Sequence, residues 1–492
     1  AVDPLLPLPP PERLTVDSAG PPLRTSAPWR VLDGFGGSVR AACRYAAPRD
    51  AEEIAALFRQ AREEGLSVTL RGAGRSYGDA SLNRAGLVLD LRQLNRMLCW
   101  DPEAGVVEAE PGLTIEGLWR RTIEDGWWPP VVPGTMFPTL AGCLAMNIHG
   151  KNNFKAGTIG EHTLEFDLLT PRGDLLRCSR EENADVFHAV IGGAGLLGAV
   201  TRLRMKLKKV ESGLLKVEPI PARSFAEMID RFEERLPVAD YLVGWIDAWG
   251  GGRGLIHQAN YLPAGEDPQG PASLHVERQG LPPRILGFPK SQIWRFLTFF
   301  LNNPGVRLTN SAKYHLGFLS RPGKTYLQSH VAFAFLLDYI PNWRLAYGPE
   351  GLVQYQLFVP KEEARRVMPE VLKLCRKRGI VSSLGVLKRH RPDPFLLTHA
   401  LDGYSLALDF RVATKGWAAL EALGHEMTAI VLDAGGSFYL AKDALLNGEE
   451  LARAYGERLV RFREMKRRLD PDGMLTSDLA RRLGVEGREG GG

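Results

Sequence analysis

A strand-like run, Ser67 to Leu70, feeds the loop Arg71-Gly-Ala-Gly-Arg-Ser-Tyr-Gly-Asp79. Three glycines in such a turn leave consecutive backbone N–H groups bare, and that arrangement makes an anion-binding concavity. On its own the loop reads equally well as an ordinary glycine turn. A second tract removes that equivalence. Pro133-Gly134-Thr135, Thr139-Leu-Ala-Gly142 and Asn147-Ile-His149-Gly150-Lys151-Asn152 form another glycine-rich, uncharged stretch that ends in a His and a Lys. Two such tracts predict a clamp on one long, phosphate-bearing cofactor, and the elements around them must place both beside the same cleft.

Those elements alternate. Asp50 is placed to cap a helix carrying Ile54, Leu57 and Phe58, stopped by Gly65. Strands are expected at Ser67 to Leu70, Leu87 to Leu91 and Val106 to Ala109, and a helix capped by Thr114 ends near Gly126. From about residue 213 the texture changes to strand-like alternation (Tyr241 to Ile246, Leu352 to Val359, Tyr404 to Phe410) with helices such as Lys361 to Arg378. A long irregular stretch, Pro263 to Asn310, interrupts it, and one Arg/Glu-rich helix is expected over Gly448 to Leu469. Residues 1–28 are proline-rich and read as an extended arm, while Gly484 to Gly492 should fray.

Composition narrows the function classes. Of 492 residues, 44% are hydrophobic and 24% charged, as in soluble globular proteins. The 62 basic and 57 acidic residues are interspersed, leaving a net charge of only +5, so nucleic acid is not an expected partner. Cys43, Cys99, Cys143, Cys178 and Cys375 are odd in number and lack a Cys-x-x-Cys pair, which predicts buried reduced thiols and neither a disulfide framework nor a zinc site. No metal ligand set is expected. The longest uncharged stretch, Val131 to Ile148, is broken by prolines and glycines and does not read as a membrane span. No signal peptide is visible, but the chain starts at Ala1 rather than methionine, so the compartment stays open between cytoplasmic and peripherally membrane- or envelope-associated.

Gly193-Ala-Gly195-Leu-Leu-Gly198 matches the dinucleotide fingerprint in letters only. The fingerprint needs a strand before its glycines and a helix after them. Here Ala184 to Val190 is helix-like, and Leu203, Met205 and Leu207 alternate with Arg202, Arg204 and Lys206 as in a strand. The order is reversed, so these glycines predict close approach of a ligand or neighbouring strand rather than a Rossmann turn.

Taken together, the two loops and Gly192 to Gly198 resemble the FAD-binding domain of the vanillyl-alcohol oxidase/p-cresol methylhydroxylase superfamily. More narrowly the chain resembles the decaprenylphosphoryl-β-D-ribose 2′-oxidase family of actinobacterial cell-wall synthesis, from about Gly34 to Leu483. Ile148-His-Gly-Lys-Asn152 and Tyr439-Leu-Ala-Lys-Asp443 carry the resemblance most specifically, with Ala346-Tyr-Gly348, Gln354-Tyr-Gln356 and Ser477-Asp-Leu-Ala-Arg-Arg-Leu483. Residues Gly250 to Asn310 match poorly. The resemblance implies an α+β fold: a two-part FAD-binding domain (29–212 and 437–492) of the vanillyl-alcohol oxidase type, with an inserted antiparallel-sheet substrate or cap domain (213–436).

It also implies roles. Leu70, Arg71, Gly72, Ala73, Gly74, Arg75, Ser76, Tyr77, Gly78, Asp79 and Ala80 would form the pyrophosphate loop. Gly134, Thr139, Leu140, Ala141, Gly142, Met146, Asn147, Ile148, His149 and Val200 would line the rest of FAD, and Tyr439 would touch the flavin. Lys442 and Gln356 would lie near the isoalloxazine and the substrate sugar with His149, Lys151, Gln354 and Lys388. Bland alternatives stand beside two of these: His149 as a structural histidine and Lys388 as a solvated surface charge.

Two departures from the family pattern matter. Members that attach FAD covalently use a histidine of the first glycine loop, where this chain has Arg75, and a cysteine that aligns near Phe137. Neither residue can form the bond, so FAD is expected to be non-covalent. Ala407 stands where close family members carry an active-site cysteine, which leaves the substrate pocket in question.

The implied chemistry is oxidation of a sugar secondary alcohol to a ketone by hydride transfer to flavin N5. Charge gathering at N1 would be met by a cation, for which Lys442 is the candidate. The base stays open among His149, a tyrosine and a water relay. A polyprenyl-phospho-pentose, as in arabinan precursor synthesis, is the substrate implied, with a keto-reductase downstream. The alternatives are a small free polyol or aldonolactone, and a non-catalytic binding protein that lost flavin. Finally, Pro282 to Val306 mixes Ile285, Leu286, Phe288, Ile293, Trp294, Phe296, Phe299 and Phe300 with Arg284, Lys290 and Arg295. That mixture suits either peripheral membrane contact or a packed cap.

Overall fold

Asp50 and Thr114 start helices where the sequence predicts. The Asp50 carboxylate accepts the Glu53 N–H at 2.8 Å and opens Ala51–Glu63, whose Ile54 and Phe58 are buried. Thr114 accepts the Gly117 N–H at 3.0 Å and opens Ile115–Thr122. The computed structural model describes residues 27–285, 287–319 and 323–486. Nearly all of the proline-rich arm, Leu286 and the last glycine-rich residues from 487 therefore lie outside the described residues.

Three sheets organise the chain. A four-stranded sheet has the order Trp29–Asp33, Arg40–Ala46, Leu87–Asp90, Val68–Arg71, with the last three strands parallel. A five-stranded antiparallel sheet has the order Met97–Asp101, Val106–Ala109, Ala199–Lys206, Thr163–Leu169, Leu175–Ser179. Helix Ala184–Val190 precedes the glycines and strand Ala199–Lys206 follows them, as expected of a sequence that is not a Rossmann turn.

The third sheet is antiparallel and has eight strands. Its order is Tyr326–Ser329, Leu214–Ala222, Gly254–Tyr261, Tyr241–Ile246, Leu384–His390, Gly403–Arg411, Leu352–Pro360, Ser437–Phe438. Helices Phe225–Arg235, Lys361–Arg378 and Trp417–Asp433 pack against it. Side-chain alternation decides what each face carries. Tyr404, Leu406, Leu408 and Phe410 join the core, whereas Ala407 turns to the opposite face, in register between Gln356 and Val386. Trp245 continues that row beyond Val386.

Residues 441–482 fold back onto residues 68–79. Tyr77 N–H donates to the Ala441 carbonyl at 2.9 Å, and Val68 N–H to that of Met474 at 2.8 Å. Arg482 bonds both oxygens of Asp79 at 2.7 and 2.9 Å and one of Asp443 at 2.9 Å. A bidentate, largely buried arginine–carboxylate pair fixes geometry more firmly than a surface pair does. These contacts join residues 68–79 to residues 441–482, and Ser437–Phe438 pairs with Leu352–Pro360 in the eight-stranded sheet.

Three local expectations change. Gly456 takes φ +50, a region L side chains avoid, and splits the expected Gly448–Leu469 helix into Gly448–Tyr455 and Glu457–Leu469. Within the stretch expected to be irregular lie a small hairpin (Arg284–Ile285 with Phe288–Pro289) and two helices, Ile293–Phe300 and Asn303–Leu319. Its apolar residues are numerous enough to give those helices one docked face. Four cysteines are buried as free thiols, but Cys99 is exposed, because its strand is the edge of the five-stranded sheet. No described helix is long and apolar enough to cross a membrane.

Candidate active site

Both glycine tracts reach one cavity of about 520 Å³, within the range of about 300–1,000 Å³ usual for ligand sites. At one end its wall is backbone. Gly72 must lack a Cβ because that atom would fall 2.2 Å from Thr139 Oγ1, so the first loop lies directly on the cap of helix Leu140–Ala145. Gly74 takes φ +62, which turns the chain beside the Arg71 guanidinium. Residues 193–198 complete this end. The close approach expected of those glycines is therefore toward a cavity.

The opposite end is the bare face of the eight-stranded sheet. Gln354 and Gln356, then Ala407, then Leu384, Val386 and Lys388 project from successive strands, each spaced by two as the pleat demands. His149, Lys151, Tyr439 and Lys442 arrive from the loops.

Most expected site residues line this cavity: Leu70, Arg71, Gly72, Ala73, Gly74, Arg75, Ser76, Tyr77, Ala80, Gly134, Thr139, Ala141, Gly142, Met146, Ile148, His149, Lys151, Val200, Gln354, Gln356, Lys388, Tyr439 and Lys442. Four do not. Gly78 faces the Asp443 carbonyl, which a Cβ would meet at 2.0 Å. Asp79 is turned away by Arg482. Leu140 is fully buried core. Asn147 points its amide at Asp393 and accepts the Gly160 N–H, at 2.8 and 3.2 Å. These four build the wall from behind. Lys388 is not a solvated surface charge, since it opens into the cavity. Sequence reasoning missed Trp245, His257 and Lys313, which come from the poorly matching region and its neighbours and also line the wall.

Six basic residues line the cavity (Arg71, Arg75, Lys151, Lys313, Lys388, Lys442), and among the described lining residues there is no Asp or Glu. Burial pulls Lys388 down to about 8. It also lowers Lys442, against the pull of Asp409, whose carboxyl burial raises. Lys442 Nζ lies 3.8 Å from the Tyr77 ring centroid. Among the described residues no ion pair holds it: Asp443 bonds Arg482, and Asp409, whose charge reaches Lys442, accepts from the Gln354 amide.

Behind the cavity face is a histidine cluster. Gln356 Nε2 lies 3.0 Å from His149 Nε2 and donates to Ser405 Oγ at 3.3 Å, and Ser405 Oγ lies 2.7 Å from His390 Nε2. In this amide orientation His149 accepts at Nε2 and keeps its proton at Nδ1, leaving Gln356 Oε1 as a free acceptor, while the Ser405–His390 bond can run in either direction. Burial holds His149 and His390 well below the usual histidine range, with Lys388 among the charges that add to it. His399, 5.0 Å from His149 and 4.4 Å from the Tyr439 ring, is pushed down to about 3 by burial.

A bare-backbone cradle and a cationic wall without acids among the described lining residues fit a dianionic dinucleotide such as FAD. Comparison with known proteins agrees. A sequence model of the FAD binding domain matches residues 43–179. The chain is 30% identical over 464 residues to decaprenylphosphoryl-β-D-ribose oxidase of Mycolicibacterium smegmatis, covering 92% of this chain and 97% of that protein. An uncharacterised Streptomyces coelicolor protein is 28% identical over 381 residues, 76% of this chain and 100% of its own. Cytokinin dehydrogenase 6 of Oryza sativa subsp. japonica is 35% identical over 189 residues, 36% of each chain. Fold, cavity and these matches define an FAD-dependent oxidoreductase. The chain belongs to the decaprenylphosphoryl-β-D-ribose oxidase family of the vanillyl-alcohol oxidase/p-cresol methylhydroxylase superfamily.

Proposed function

We propose that this enzyme oxidises the secondary alcohol of a polyprenyl-phospho-pentose to a ketone, with the eight-stranded sheet region serving as the inserted substrate domain. The observation that carries the reading is the cavity itself: one continuous space running from the bare glycine loops to a sheet face that offers Gln354, Gln356, Lys388 and Lys442. Likeness to an oxidase of a lipid-linked ribose over nearly the whole chain supports it.

Bound at the glycine end, FAD supplies the hydride acceptor. Leu70 to Tyr77 would hold its pyrophosphate, and Thr139, Ala141, Gly142 and residues 193–198 would line the rest of it and exclude water. Lys442, which burial lowers to about 7 against the pull of Asp409, would in its protonated form lower the cost of negative charge on a bound cofactor. Gln356 offers Oε1 to a substrate hydroxyl and is held in place by His149 and Ser405. His149 has its Nε2 engaged and is depressed by burial and neighbouring cations, which makes it an orienting group and a weak proton acceptor. A lipid-linked rather than free sugar is supported by the cluster Phe288, Phe296, Phe299 and Phe300, all exposed beside Arg284, Lys290 and Arg295. Such a surface suits contact with the membrane that carries a polyprenyl tail.

Anaerobic mixing of the yellow holoenzyme with candidate donors tests this directly. A short polyprenyl-phospho-pentose should bleach the flavin absorbance. Bleaching by a free polyol or aldonolactone alone would overturn the reading.

A further inference from the structure

The basic side chains around the cavity are not equally occupied. Arg71 is spent within the protein, bonding Ser81 Oγ at 2.9 Å and the Asp33 carbonyl at 3.0 Å. Lys151 donates to the Phe333 and Ala334 carbonyls. Arg75 lies between Phe35 and Phe137 at the glycine end, and Lys442 sits on Tyr77 in the field of Asp409. Two lysines remain. Lys313 and Lys388 form no ion pair and no side-chain hydrogen bond with any described residue.

Both belong to the sheet end. Lys388 stands two residues beyond Val386, which pairs with Trp245. Lys313 comes from helix Asn303–Leu319, which packs over strands Leu214–Ala222 and Gly254–Tyr261. Its Nζ lies 4.3 Å from the Trp245 ring centroid. A cation–π contact fixes an ammonium without neutralising it. Lys313 is exposed into the cavity, yet enough protein surrounds it that burial draws it down to about 8, as it does Lys388. His257, pushed down to about 4 by burial and by the charge of Lys313, contributes a neutral donor to the same wall.

An ammonium that faces a cavity without a carboxylate partner is a charge that a bound anion can neutralise through charge-assisted hydrogen bonds. A cofactor diphosphate would be met at the other end, on the glycine backbone. We propose that Lys313, with Lys388, is a phosphoryl-recognition subsite that takes the phosphate group of the substrate at the sheet end of the cavity. The proposal deepens the function proposed above and rests on it for the identity of the substrate, though not for the existence of the anion site.

The test uses FAD-saturated holoenzyme, so the cofactor's own phosphates are already in place. Inorganic phosphate is titrated calorimetrically at constant ionic strength into wild type, Lys313→Met, Lys313→Arg and Lys388→Met. Wild type should bind one phosphate per chain. Lys313→Met should weaken it by about ten- to a hundredfold, the effect of losing a charge-assisted contact, with unchanged FAD content. Lys313→Arg should recover most of the loss, and Lys388→Met should weaken binding as well. Unaltered phosphate affinity in Lys313→Met, no phosphate binding by wild type, or loss of FAD from the Met variant would each overturn the subsite. The proposed function fails separately: holoenzyme that binds phosphate through Lys313 but is bleached by no phospho-pentose ends that reading and leaves the subsite standing.

Discussion

The guanidinium of Arg75 lies 5.0 Å from the ring centroid of Phe137 on the second glycine tract, and 5.2 Å from that of Phe35 in the turn after strand Trp29–Asp33. Arg75 and Phe137 occupy the two positions from which covalent relatives would bond the flavin. Here they bond each other through a cation–π contact worth about 0.5–2 kcal/mol. Neither side chain of the pair offers a nucleophile. FAD should therefore be tight but removable. Acid or detergent denaturation should leave the yellow colour in the supernatant, and flavin retained on the precipitated polypeptide would contradict this.

Lys442 offers a sharper test, because Asp443 is bonded to Arg482 and Asp409, one oxygen of which accepts from Gln354, acts on Lys442 through its charge without an ion pair between them. Lys442→Met should keep FAD yet slow its reduction by about 10²–10³, or roughly 3–4 kcal/mol, as loss of one preorganised electrostatic group does. Lys442→Arg should recover only part, since a planar guanidinium places its charge differently. Stopped-flow reduction of flavin-loaded variants reads both. An unchanged rate in the Met variant would return Lys442 to a structural role.

How far the site could be read from the sequence follows from how local each part is. His149, Lys151 and Lys442 stand in compact motifs, and the strand alternation of Gln354 and Gln356 is visible in a few residues. Asn147 and Asp79 stand in the same motifs but were misplaced. Asn147 is turned into the wall at φ +43 to serve Asp393, and Asp79 is claimed by Arg482 from the far end of the chain. Local spacing carries no trace of either partner. Lys313 left still less signal. Its place in the cavity depends on a helix docking over strands Leu214–Ala222 and Gly254–Tyr261, in the region where the family resemblance is weakest.

The buried histidines give the fold a pH dependence. Burial depresses His149, His257, His330, His390 and His399, with values of about 4 for His257 and His330 and about 3 for His399. In the unfolded chain each takes up a proton near pH 6.5, whereas the folded protein resists it, so the unfolded state binds more protons and stability falls on acidification. The loss begins near pH 6.5 and continues to the depressed folded values, at up to about 1.4 kcal/mol per histidine per pH unit. The holoenzyme's melting temperature should drop steeply between pH 6.5 and 4.5. His390→Phe should flatten that slope, and an equally steep slope in the variant would show that His390 protonates freely in the fold.

Ala407 lies in the cavity wall, in register with Gln356 and Val386. Agents that work by capturing a thiol at this position should therefore leave no adduct there. Intact mass after incubation, followed by peptide mapping, checks it, with exposed Cys99 as the internal control for reactivity. An adduct within Tyr404 to Phe410 would mean that chemistry other than thiol capture operates in the cavity.

The aromatic surface of helix Ile293–Phe300 should decide where the enzyme works. Phe296 and Phe299 are 52% and 76% exposed, while the helix docks its other side on the turn Trp343–Tyr347. Docking explains why the helix forms; it does not explain two bare phenylalanines. Burying each in lipid would contribute about 1.5–3 kcal/mol, and a basic residue beside an anionic surface about 1 kcal/mol. The combined double variant Phe296→Ser, Phe299→Ser should thus lose liposome flotation while keeping its flavin. Wild type should float better with anionic than with neutral vesicles, because Arg284, Lys290 and Arg295 flank the ring cluster. Equal flotation of wild type and variant would assign the surface to packing rather than to the membrane, and the entry of a lipid tail would have to be sought at another edge of the cavity.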